Sequence, residues 1–127
     1  MLRRLSLVIV GMLLLVAQSS WALTVELWGE WPPALRAAYI VGILDDWERL
    51  VAFEGGAAEP SSPVEGIANL VACLKASEMH YAEIVDLVES WAGRHPGSEG
   101  EVMADLVRKA IEQSCQDQDE EDPRSQI

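Results

Sequence analysis

Apolar positions along most of this chain recur with a helical period. In "PPALRAAYIVGILDDWERLVAF", Leu35, Tyr39, Gly42, Ile43, Trp47, Leu50 and Val51 fall on one helical face. Pro32 and Pro33 open the run, where a missing N–H costs little. Gly42 lies on that face and costs about 1 kcal/mol against alanine, so close approach of a neighbouring helix is the expected compensation. The pattern restarts at "SPVE". There Ser62 is placed to cap, Pro63 takes the first helical position and Glu65 completes a capping box. Ile67, Leu70, Val71 and Leu74 carry the inner face of this second helix to about Leu74. A third helix begins near Ser77 and presents Tyr81, Ile84, Val85, Val88 and Trp91. "GRHPGSEG" interrupts it: Gly93 suits a stop, and Pro96 pushes His95 away from helical geometry. Ser98 with Glu101 is a second capping-box signature. It opens a fourth helix with Val102, Met103, Leu106, Val107, Ala110 and Ile111 inward.

The segments between these runs read differently. "LTVELWGEW", Leu23 to Trp31, alternates weakly, as a short extended lead-in would. Glu54 to Ser62 has loop composition. Residues 116–127, "QDQDEEDPRSQI", have no apolar period and read as a disordered acidic tail. There is no internal repeat. The expected fold is all-α: a small bundle of about four helices occupying residues 23–115.

The first 22 residues form a separate unit. "MLRR" is positively charged, Leu5 to Ala17 is apolar, and Ser20 and Ala22 occupy the small-residue positions of a signal-peptidase site. Cleavage between Ala22 and Leu23 is expected, because the apolar run is shorter than the roughly 20 residues that span a bilayer. No cysteine lies near that site, which argues against a lipid anchor.

Removing the leader sharpens the charge. The whole chain carries −12; losing Arg3 and Arg4 leaves 7 basic against 21 acidic residues, or −14. Nucleic acid is not expected as a partner, since phosphate binding needs clustered lysine and arginine. The same charge argues against anionic membrane surfaces. A basic protein partner would be steered toward such a surface, although solubility alone explains the charge equally well.

The chain has two cysteines, Cys73 and Cys115. A short connection makes the third and fourth helices antiparallel, which brings the start of one beside the end of the other. Cys73 precedes that start and Cys115 lies at that end, so the hairpin predicts a disulfide, permitted by export to an oxidising compartment. A metal site would need more ligands than His80 and His95 add, and a redox pair would show C-x-x-C spacing. A thiolate at Cys115 would be disfavoured by the acidic tail.

The segment from Cys73 to Cys115 resembles the Rap/Tai family of periplasmic immunity proteins, associated with type VI secretion amidase effectors. The shared features are Cys73, the amphipathic stretch Ile84 to Trp91, the His95–Pro96 break, Ala104 to Ile111, and Cys115. Upstream, "AAYIVGILDDW" is similar to the family's Y-x-x-G-x-x-D helix through Tyr39, Gly42 and Asp45 or Asp46. Many relatives carry further cysteines, one just before that tyrosine; here the neighbourhood is "LRAA", and the following loop lacks a cysteine too. The resemblance implies a non-catalytic periplasmic protein that binds a secreted peptidoglycan amidase and occludes its cleft.

The residues agree that no catalytic constellation is present, so neither an enzyme nor a cofactor is expected. "DQDEED" lacks the glycine and terminal glutamate of a calcium loop, so no metal is expected. Candidate partner-binding residues are Asp45, Asp46 and Glu48 on the first long helix, Glu54 and Glu59 in the loop, and His95 at the turn. Each has a plainer reading: a solvated helix face, an internal pairing of Asp45 or Asp46, a simple connector, a helix break. Trp47 and Trp91 fall on inner faces. Trp28 and Trp31 either anchor a partner or, the preferred reading, cover the end of the bundle. The alternative function is a periplasmic helical binding module or acid-stress chaperone, exposing apolar surface as its carboxylates protonate. The chain is also compatible with a homodimer.

Overall fold

The computed structural model describes residues 22–54 and 63–121. The elements are α1 (Val25–Gly29), α2 (Pro33–Glu54), α3 (Pro63–Ala76), α4 (Tyr81–Arg94), a 3-10 turn (Pro96–Ser98) and α5 (Met103–Glu121). The protein is all-α, and the described residues contain no strand, only an isolated antiparallel bridge between Thr24 and Val102. Residues 1–21 of the expected 22-residue leader lie outside the described residues, as do the Ser62 cap, Glu59 and residues 122–127 of the expected tail.

The core is drawn from all four long helices. Ile40 and Leu44 come from α2, Leu70 from α3, and Ile84 and Val88 from α4. Met103, Leu106, Val107, Ala110 and Ile111 come from α5, each fully buried. Helix α5 packs against α1, α3 and α4, while α2 packs against α3 and α4. Trp47 and Trp91 are partly buried against this core.

Cross-helix pairs fix the directions. Arg108 reaches across to Gly66, where a Cβ would lie 3.1 Å from its Nη2, and Cys73 is bonded to Cys115. These pairs lie seven residues apart on both helices and in the same order, so α3 and α5 run parallel. Arg36 pairs with Glu89 and Asp45 with Tyr81. Here the order is reversed, so α2 and α4 run antiparallel.

The disulfide forms as the sequence predicts, with the Cα atoms 6.2 Å apart and a sequence separation of 42. Closing a loop of that size contributes about 4 kcal/mol in the chain-entropy account. For a domain whose whole stability is of order 5–15 kcal/mol, that is a large part.

Several local expectations are corrected. The lead-in is not extended beyond Leu23 and Thr24. Val25 and Trp28, its buried residues, are three apart, a helical spacing, and Thr24 caps α1 by accepting from the Leu27 amide at 3.3 Å. The Ser98–Glu101 capping box does not form. Ser98 Oγ donates to the His95 carbonyl at 2.6 Å, and Glu101 pairs with Lys109 at 2.8 Å. The first amide of α5, Met103, donates instead to the Leu23 carbonyl at 2.7 Å.

The third predicted helix starts at Tyr81 rather than near Ser77, and the His80 amide donates to the Glu83 carboxylate at 2.7 Å just ahead of it. Gly42 is exposed, with nothing within 4 Å of where a Cβ would stand; the close approach occurs at Gly66. Residues 116–121, expected to be disordered, continue α5. Once nucleated, a helix gains a backbone bond for each residue added, and Gln113 donates to Asp117 at 2.8 Å across that boundary.

Candidate binding site at the disulfide end of the bundle

Opposite ends of the bundle are built differently. At one end α1 lies over the start of α5, with the amides of Val25 and Glu26 donating to the carbonyls of Glu101 and Glu99. Trp28, 4% exposed, fills the space beneath, and its Nε1 donates to the Arg36 carbonyl at 3.3 Å. The Arg36 guanidinium lies 5.5 Å from the Trp28 ring, pairs with Glu89 at 3.1 Å and donates to the Gly29 carbonyl at 3.2 Å. Trp31 meets Tyr39 edge-on, ring centres 6.0 Å apart. These tryptophans cover the bundle's end, the preferred sequence reading; they are not exposed anchors.

At the other end, Leu44 of α2, Val71 and Leu74 of α3 and Ile84 of α4 line an open cavity of about 290 Å³. Glu48, Lys75, Glu78, His80 and Tyr81 also line it. Of these, Glu48, Lys75, Glu78, His80 and Tyr81 are exposed, so an apolar lining meets solvent across a polar set. The turn from α3 to α4 forms part of the wall. Within it Glu78 has φ of 54°, left-handed backbone that a non-glycine residue adopts at a cost of about 1 kcal/mol. The Tyr81 hydroxyl donates to Asp45 at 3.0 Å and ties α4 to α2. That bond, then burial, then the charges of Asp45 and Glu48 raise the Tyr81 pKa above its ordinary value.

The last turns of α2 carry a second surface. Since Asp45 is level with the first residue of α4, the later turns of α2 extend past it. Asp46, Trp47, Arg49, Leu50, Ala52 and Phe53 form a shallow, mainly apolar surface made from α2 only. Phe53 is 91% exposed.

The proposed partner-binding residues are thereby sorted. Asp45 is held by Tyr81, the internal pairing weighed from sequence. Asp46 and Glu48 are exposed on α2, Asp46 on the surface that holds Phe53 and Glu48 at the cavity. Glu54 ends α2, its side chain outside the described set. His95 is not near them. It follows the far end of α4, about 20 Å along the helix from Tyr81, stacked on Trp91 with ring centres 4.0 Å apart. Its Nδ1 donates to the Trp91 carbonyl at 2.8 Å. His95 therefore belongs to the capped end and finishes a helix there.

Sequence reasoning missed Phe53 and the cavity-lining residues Lys75 and Glu78. Phe53 lies fourteen residues after Tyr39, on nearly the same face, yet its side chain is exposed. Among the described residues, no group of three or more histidine, cysteine, aspartate or glutamate side chains is placed to hold a metal ion. No helix among them is long and apolar enough to cross a membrane. Comparison with known protein families, curated proteins and solved structures finds no match.

Proposed function

We propose that the protein is an exported, disulfide-stapled inhibitor that acts in the periplasm by binding a secreted cell-wall amidase and blocking its active-site cleft. The observation that carries this reading is the exposed apolar surface at the end of α2. It presents an aromatic side chain, Phe53, almost wholly to solvent, on the same surface as the carboxylate of Asp46. Occlusion of a cleft needs a protruding apolar knob, and exposed aromatics in such positions dominate many protein interfaces. The resemblance between Cys73 and Cys115 supplies the amidase as partner class, and the acidic surface favours a basic one.

Co-export with candidate amidases tests the reading: the protein should restore growth and co-elute with the enzyme as a stable complex. Phe53→Glu should weaken that complex by about 2 kcal/mol or more, roughly 30-fold, with unfolding free energy changed by less than about 0.5 kcal/mol because the side chain touches little. Absence of rescue and complex with every amidase, joined to dye binding and client protection near acid pH, would instead identify the chaperone.

A further inference from the structure

The cavity at the disulfide end has a shape and charge that Phe53 does not use. We propose that it receives one large apolar side chain of a partner protein, flanked in that partner by a lysine or arginine. The inference rests on the inhibitor reading only for the partner being a protein.

Size limits the occupant. About 290 Å³ lies at the small edge of ligand sites, which run from about 300 to 1,000 Å³. A leucine, phenylalanine or tryptophan side chain suits it; an extended cofactor does not. The lining at Leu44, Val71, Leu74 and Ile84 supplies apolar contact.

Charge selects what stands beside that side chain. Around the cavity the carboxylates of Glu48 and Glu78 outnumber the ammonium of Lys75, and Asp45 adds a third carboxylate behind the Tyr81 hydroxyl. The balance is negative on a chain already at −12, so a neighbouring cation is favoured and an anionic head group is not. The walls are also fixed in advance. Tyr81 ties α4 to α2, and Cys73, on the helix that supplies Val71 and Leu74, is bonded to α5. Preorganised walls reduce the ordering that binding must impose.

The test is an amide chemical-shift titration of the full exported chain with three probes: acetyl-Lys-Phe-Lys-amide, acetyl-Glu-Phe-Glu-amide and octanoate. The lysine peptide should shift the Lys75, Glu78, Met79 and Ile84 amides, with the glutamate peptide at least about five-fold weaker and octanoate without effect there. Val71→Phe, which fills the cavity, should abolish the response. The exposed pair Glu48→Gln and Glu78→Gln should weaken it about three- to five-fold without disturbing the fold. Equal response to both peptides, preference for octanoate, or shifts mapping elsewhere would overturn the proposal. An amidase complex that survives all three substitutions removes the cavity as the partner's seat and leaves the inhibitor standing. Peptide binding here without any amidase complex does the reverse.

Discussion

At one end of the bundle a short helix lies across the core, and Trp28 closes the space under it while Arg36 bonds three elements together. Among the described residues, no helix crosses the other end. Leu44, Val71, Leu74 and Ile84 open into a cavity, Phe53 stands in solvent, and the parallel helices α3 and α5 are held by Cys73–Cys115. The same four helices thus end once in side-chain burial and once in a covalent bond. A tryptophan cap stabilises by covering apolar surface, which removes that surface from use. A disulfide constrains the unfolded chain and covers little, so it secures an end that stays accessible.

The largest expected effect comes from the capped end. Trp28→Ala leaves a void under α1 and removes the indole donor to the Arg36 carbonyl, and should destabilise the protein by about 3–5 kcal/mol in denaturant titration. A loss below about 1 kcal/mol would show that α1 is an ornament on the fold and not its seal. Next is the staple. Replacing Cys73 and Cys115 together by alanine should cost about 4 kcal/mol. Hydrogen exchange should then quicken most in α3 and in the end of α5, with the α1 contacts keeping more of their protection. Uniform loss across both ends would erase the distinction between them.

The smallest effect concerns the bond between Asp45 and Tyr81. In a Tyr39→Phe background Tyr81 is the remaining tyrosine, and its phenolate absorbance should appear above the ordinary pKa of about 10. A raised folded value means that the associated stability is complete below the unfolded pKa and is lost as pH rises through the folded one. Asp45→Asn should return the titration toward the ordinary value. An unchanged titration would mean that this side of the cavity is not tied as described.

Much of the frame can be read from the residues. The stripes of α2 to α5 follow a clear period, and the hairpin logic that joins Cys73 to Cys115 needs only a short connection between two helices. Where reading by period stops is also physical. Periodicity gives the angle of a residue around its helix and says nothing of the height at which neighbours end, so it does not single out Phe53 as the exposed aromatic. Gly42 fails for the opposite reason: it lies at the edge of the apolar stripe, on a side that meets no neighbour. Five residues are too few to declare a period, so α1 passes for a strand although Val25 and Trp28 keep helical spacing. The Ser98–Glu101 signature is locally sound but loses to tertiary partners, since Lys109 takes the carboxylate and Leu23 satisfies the amide of Met103.

One consequence of the Cys73–Cys115 bond concerns damage. The loop it closes holds all of α4, the 3-10 turn and the buried first half of α5. A protease that severs the backbone anywhere inside that loop produces two pieces that remain one molecule, each still carrying helices that pack on the other. Cuts outside it, as in the link between α2 and α3, release a fragment with no such tether. The chain is therefore insured against scission between Cys73 and Cys115 and unprotected over the segment before it, which carries Phe53.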